Sequence, residues 1–310
     1  MALGTSIAVG RQARLNINGK TLCFAKAVPA STREIVTNQD NTLCGDIDTS
    51  IARVTKGRIM AGWKITVDVT WPIAEVLFPL LGNSAGSSPW SLGATDSATI
   101  FPVVLDLVGD VHSITNAVVA SWRLSGSKGS RPVQLEIDIV GETEVSGSFA
   151  GFDNDDKVAF GAEYSFTHSS MTIEDDASNN QARAFDRFVL AVDNKLTKEW
   201  NNSATLTDVL IGNRTALFAT SVPYVAAEKD LYFDHRDALD ERICQLVLNN
   251  TGSGAASPKT LTFDMPACMA IAKPASALSK AEQLRTPVTM ILMRSGTPSS
   301  RVSPLTITAS

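Results

Sequence analysis

The chain has 310 residues, 44% of them apolar and only 19% charged, with a formal net charge of −5 and a pI near 5.3. That length suits two domains of ordinary size, and the low charge content implies that some surface is covered in an assembly. The acidic balance excludes a surface built from clustered Lys and Arg to grip nucleic-acid phosphates. The sequence also lacks an 18-residue apolar run and a basic-then-apolar leader at Met1–Gly10, so neither a membrane span nor export is expected.

Period-two alternation dominates the chain and predicts strands with one wet face. In chain order it covers Arg14–Asn18, Lys64–Val69, Val118–Leu124, Val133–Val140, Phe188–Val192, Ala216–Val222, Thr260–Phe263 and Val288–Met293. Turn signals such as Asn18-Gly19, Asp193-Asn194 and Gly212-Asn213 separate these segments. Two stretches carry helical spacing instead. Pro72–Leu81 opens on a proline suited to a first turn, and Asp234–Leu248 places Leu239, Ile243, Leu246 and Val247 on one helical face.

The order strand, hairpin, strand, helix, strand, strand occurs twice. Arg131–Ile137 aligns with Arg285–Ile291 around one insertion, and Arg14–Lys20 echoes Arg187–Lys195. The expected organisation is therefore two tandem related modules, residues 1–145 and 183–310, joined by a linker or arm over 146–182. The Gly-, Ser-, Asp- and Asn-rich composition of Gly141–Gln181 reads as that linker, although Val158–His168 alternates enough to form a strand. A long polar insertion, Ser31–Lys56, lies inside the first module, and its counterpart, Leu196–Ile211, is shorter.

Chemical constellations are weak. Gly82-Asn83-Ser84-Ala85-Gly86 has the G-x-S-x-G form of a nucleophile elbow, yet a helix precedes it and no helix start follows. His112, His168 and His235 show no metal-ligand spacing. Asp153–Asp156 and Glu174–Asp176 lack the closing glutamate and glycine of a calcium loop, and Ser125–Ser130 reads as a hairpin turn rather than a phosphate cradle. Cys23, Cys44, Cys244 and Cys268 are far apart and suit reduced, buried thiols; the sequons at Asn201, Asn213 and Asn249 would matter only after secretion. No catalytic, cofactor-binding or metal-binding residue is assigned, no cofactor is expected, and the chain reads as a structural protein rather than an enzyme.

The second half, Phe188–Met293, resembles the tail tube (major tail) proteins of long-tailed bacteriophages. The likeness rests on the strand and turn at Phe188–Lys195, the Ile211-Gly212-Asn213-Arg214 turn into Ala216–Val222, and the helix and closing strands around Pro287–Met293. The first half resembles the same module more weakly, its Ser31–Lys56 insertion departing from the tighter copy. The resemblance implies a mainly β chain of β-sandwich or barrel modules, each with a flanking helix, in rings stacked around a lumen. It implies as partners further copies of the chain, three two-module chains giving a quasi-sixfold ring. A tape-measure protein and passing DNA would occupy the lumen, and tail terminator and distal tail proteins would meet the tube. It places the protein in the virion tail, assembled in the host bacterial cytoplasm. The lumen wall should then be non-adhesive, since Lys or Arg there would hold DNA, and Ser31–Lys56 should mediate contacts between rings. Three other readings compete. A different virion β-sandwich component, such as a distal tail, decoration or fibre-attachment protein, would share the fold. A carbohydrate-binding module would present exposed Trp, and a hydrolase would rest on Ser84 alone.

Overall fold

A computed structural model describes residues 13–37, 54–82, 86–93, 98–107, 110–129, 132–147, 158, 161–174, 179–201, 203, 206–223, 241–251, 257–271, 285–296 and 302–310. Its elements run β1 (Arg14–Ile17), β2 (Lys20–Leu22), β3 (Lys26–Pro29), β4 (Thr32–Thr37), β5 (Val54–Asp68), α1 (Trp71–Gly82), β6 (Trp90–Ser91), β7 (Phe101–Asp106), β8 (Val111–Ser127), β9 (Gln134–Gly141) and β10 (Glu144–Gly147). The second half continues with β11 (Ser169–Glu174), β12 (Asn180–Ala182), β13 (Arg187–Asp193), β14 (Thr197–Glu199), β15 (Asp208–Leu210), β16 (Thr215–Pro223), β17 (Arg242–Asn249), β18 (Thr260–Ala270), β19 (Arg285–Leu292) and β20 (Thr306–Ala309). The protein is mainly β, as the alternation predicts, and α1 is the α-helix among the described residues.

One ladder of antiparallel pairings is built twice. In the first half β1 pairs with β2 and β7, β8 with β7, β9 and β10, and β5 with β9 and β3. In the second half β11 pairs with β12 and β17, β18 with β17, β19 and β20, and β16 with β19 and β13. Each first-half pairing thus has a second-half counterpart. The side excursions match as well: β4 folds back on the start of β5 before the ladder resumes, and β14 folds on β15 between β13 and β16.

This correspondence revises several sequence expectations. The Arg131/Arg285 alignment holds, because β9 and β19 occupy equivalent places. The Arg14/Arg187 match does not: β1 corresponds to β11, whereas β13 corresponds to β3. Both segments alternate, and alternation alone cannot distinguish strands that have different neighbours. The Gly141–Gln181 stretch carries β10 at its start and β11 and β12 further on, so its loop-like composition accompanies ladder strands. Within it, the described residues of Val158–His168 form no strand. Tyr164 N donates to Val69 O at 3.0 Å and Val133 N donates to Tyr164 O at 2.8 Å, wedging one residue between β5 and β9. A short 3₁₀ turn, Phe166–His168, follows. The ends of Ser31–Lys56 are likewise the strands β4 and β5, and its centre lies outside the described residues.

The predicted helix α1 is present, but the one expected over Asp234–Leu248 is overturned where it is described. Residues 242–249 form β17, with Cys244, Leu246 and Leu248 buried on one face, while Ile243, assigned above to the apolar helical face, is 44% exposed. Ladders on both sides of β17, to β11 and β18, outweigh the local helical pattern.

The two halves join edge to edge. β8 is long enough to serve two neighbourhoods: Val111–Ile114 pairs with β7 and β10, and Val118–Ser127 runs on between β9 and β13. Irregular registers at Phe101/Val103 and Val119/Ser121 mark the bend, as β-bulges commonly do. The sheet therefore continues β3–β5–β9–β8–β13–β16–β19 through both halves. A second tie pairs β20 with β6.

One contiguous apolar core lies beneath both ladders. Phe78 of α1 is fully buried, with its ring 5.9 Å from Trp90 and 5.7 Å from Phe263 of the second half. Burying such a ring contributes roughly 1.5–3 kcal/mol. Phe188 packs against Phe166 and Phe185 and faces Gly126 across the β8–β13 junction. A Cβ at Gly126 would lie 2.7 Å from that ring, which its neighbours prevent from swinging away. Gly126→Val is expected to lower the unfolding free energy by about 1–3 kcal/mol in denaturant titration; an unchanged midpoint would show that Phe188 yields freely.

Candidate functional site

The continuous sheet has one face on the core and one face open. Along β5, Trp63, Ile65 and Val67 point inward, so Lys64, Thr66 and Asp68 point outward. The same parity places Ser121, Arg123 and Ser125 of β8, Gln134, Glu136 and Asp138 of β9, and Val189, Ala191 and Asp193 of β13 on the open face. Two hollows of about 660 and 710 Å³ lie against it, the first spanning β3, β5, β9, β8, β13 and β16 and the second continuing toward β19. This broad open face, shared by both halves, is the candidate functional surface.

Its charge is interleaved rather than absent. Lys64 Nζ lies 3.8 Å from Asp138, and Lys195 Nζ lies 2.6 Å from Asp193. Arg123 stands opposite Glu136 in the β8–β9 register, and Gln134 Nε2 donates to Asp68 at 3.0 Å. Burial by itself would raise the Asp193 carboxyl, but hydrogen bonds from the Lys195 side chain and backbone, with its charge, hold it below the usual aspartate value. Cations are thus present on this face, with carboxylates set among them. Between the charged ends of β13, Arg187 and Asp193, the wall is apolar, with Val189 and Ala191 of β13 beside Leu217 and Ala219 of β16.

At the end of the junction, Asn194 is 4% exposed, donates from its backbone to Ala120 O (2.9 Å) and from Nδ2 to Val119 O (2.8 Å), and accepts from Arg214 Nε (2.7 Å). Arg214 Nη1 reaches Gly93 O at 2.9 Å, and Arg294 donates to the same carbonyl at 3.3 Å. Burial, then the neighbouring Arg294 charge, lowers the Arg214 pKa. The Ile211–Arg214 turn requires its glycine, since a Cβ at Gly212 would lie 2.4 Å from Lys195 O. Sequence reading found this turn but not its partners on β8 and at Gly93, which no local pattern encodes.

The other sequence candidates do not converge. Ser84, His235 and Asp153–Asp156 lie outside the described residues, as do Asp175 and Asp176. His168 ends the 3₁₀ turn after Tyr164. His112, which the sequence left without a role, faces Asp110 Oδ2 through Nε2 (3.1 Å) and Glu144 Oε1 through Nδ1 (3.2 Å). Glu144 also accepts from Trp63 Nε1 (3.3 Å) and from Ser31 Oγ. Glu144 thus stands between Ser31 and the imidazole. Among the described residues no group of three or more His, Cys, Asp or Glu is placed to hold a metal ion. Trp63, Trp90 and Trp122 are core residues, and Trp71 and Trp200 are half-buried, Trp71 beneath Lys259 at 4.8 Å. Among the described residues no helix is long and apolar enough to cross a membrane.

The expectation of buried thiols holds for Cys244 and Cys268 but not for Cys23, which is exposed beside β3; Cys44 lies outside the described residues. A hydrogen bond with Cys268, then burial, keeps the Cys244 thiol well above the usual cysteine range and therefore protonated. No family model matches this chain, and no curated protein matches its sequence. In a Cys44→Ser variant, one thiol per native chain, Cys23, is expected to react with a soluble disulfide reagent at pH 8. Cys244 and Cys268 should follow only in denaturant; rapid reaction of three thiols in the native protein would contradict their burial.

Proposed function

We propose that this chain is the structural subunit of a bacteriophage tail tube, a two-module protein whose rings stack into a hollow conduit for DNA. The observation that carries the reading is the sheet that crosses both halves through β8 and β13 and leaves a broad polar face uncovered. A ring needs a wall that continues from module to module, and a conduit needs a wall that does not grip its cargo. Interleaved charge supports the second requirement, because cations already close to carboxylates release fewer counterions on meeting phosphates. The repeated ladder supports a ring of three chains, each filling two of six equivalent places.

In this reading the open face lines the lumen around the tape-measure protein and later the DNA, and the tube ends meet terminator and distal tail proteins in the virion tail. The mainly β fold is equally compatible with another virion β component. A carbohydrate-binding module gains nothing here, because no Trp among the described residues is exposed as a stacking platform.

Electron microscopy of the concentrated full-length chain is expected to show rings or hollow tubes, with native mass spectrometry giving three chains per ring. A six-chain ring would overturn the stoichiometry, and a monomer at every concentration would overturn the tube. The free chain should bind duplex DNA more weakly than about 100 μM at 0.15 M salt in a mobility-shift titration. Tighter, salt-sensitive binding would contradict a non-adhesive lumen.

A further inference from the structure

A smaller hollow of about 180 Å³ lies where β5 gives way to α1. Cys23, Asp68, Thr70 and Glu163 supply its polar lining, and Phe24, Ile73 and Val158 supply apolar walls. The surrounding backbone is tied down, so the hollow is formed before any ligand arrives. Ala25 N donates to Thr66 O at 2.8 Å, Val158 N to Thr21 O at 2.9 Å and Tyr164 N to Val69 O at 3.0 Å, while Thr70 bridges Glu163. The polar groups, by contrast, are underused. Gln134 Nε2 engages Asp68 Oδ1 at 3.0 Å, and among the described residues no cation lies within ion-pair distance of Asp68 or Glu163. Thr70 is 3% exposed, yet its buried Oγ1 has no hydrogen-bond partner. A buried hydroxyl left in that state costs free energy that a ligand can recover.

We infer that this hollow binds a small organic ammonium ion, a primary amine on a short apolar stem. An ammonium group carries three N–H donors and accepts nothing, and the hollow offers it two carboxylates and the orphaned Thr70 hydroxyl. Hydrogen bonds from a cation to carboxylates are the strong kind. The stem then lies against Phe24, Ile73 and Val158. The volume sets the size: an engineered cavity of about 150 Å³ holds one benzene, so this one takes roughly five to seven non-hydrogen atoms. An anion would meet two carboxylates with no cation beside them. A bare metal ion fits poorly as well, because among the described residues no three His, Cys, Asp or Glu are grouped closely enough to hold one. Carboxylates at a surface need no ligand to explain them, but Thr70 is not at the surface, and its hydroxyl shares their hollow. The inference is independent of the tube reading, since every group it uses belongs to one chain.

The test uses the full-length Cys44→Ser chain in an amine-free buffer, with the exposed Cys23 as a reporter in the hollow's own wall. The rate at which Cys23 reacts with an uncharged disulfide reagent is followed as n-butylammonium chloride is added at constant ionic strength. Half-protection is expected near about 1 mM, an affinity within reach of a ligand this small. At about ten times that concentration the reaction should be about tenfold slower. Tetramethylammonium, which has the charge but no N–H, should protect at least about tenfold less well. Asp68→Asn and Glu163→Gln should each raise the half-protecting concentration about tenfold, with Cys244 and Cys268 still silent as a check on folding. Thr70→Val should weaken protection without lowering the melting temperature, because its hydroxyl bonds to nothing in the free chain. No protection up to about 30 mM amine would overturn the site, as would equal protection by tetramethylammonium or protection that survives all three substitutions. Protection by calcium chloride but not by the amine would make the hollow a metal site and overturn the assignment.

Discussion

The backbone ladder between β8 and β13 is the constraint on which the rest of the structure depends. Without it the two halves would each end in an unpaired strand, and unpaired edges are hazards that proteins cover or use. Its closeness is set by Gly126, whose missing side chain makes room for Phe188, and its end is fixed by Asn194, which joins β8 to the turn before β16. The remaining tie, β6 with β20, is short and lies beside the packed rings of Phe78, Trp90 and Phe263. Hydrogen bonds thus set the register between the halves, while the shared apolar core beneath them supplies most of the stabilising free energy.

The same junction bears on function. The open face gains its character from the same geometry. Strand parity places charged side chains of β5, β8 and β9 on one wall, where opposite charges become cross-strand neighbours and reduce each other's pull on solution ions. Between Arg187 and Asp193 the small and apolar residues of β13, with those of β16, continue that wall. Elsewhere Glu144 links Ser31, Trp63 and His112 into one polar cluster.

Several misreadings share one cause. The helix expected over Asp234–Leu248 had plausible spacing, yet Cys244, Leu246 and Leu248 also alternate, and neighbours on both sides decided the matter. The linker composition of Gly141–Gln181 concealed β11, whose Met171 and Ile173 are buried against β17. Arg14–Lys20 and Arg187–Lys195 look alike because each is an alternating strand running into a turn, although one pairs with β2 and β7 and the other with β8 and β16. Local sequence encodes strand character and phase, whereas pairing depends on residues far along the chain, as Arg187 of β13 opposite Ser127 of β8 shows.

Alternation, turn residues and the helical stripe from Pro72 to Leu81 were sufficient to make the chain mainly β, to place most of its strands and to suggest that one order of elements is used twice. These properties follow from side-chain size, polarity and backbone preference within a few residues, so they are legible locally. Which strands share an edge, which face of the sheet stays open, and how Arg214 comes to hold Asn194 and Gly93 were settled only when the chain closed on itself. Those choices depend on competition among many strands of similar propensity. That competition is decided by burial and by satisfying every backbone group at once, and neither condition exists until the whole ladder is assembled.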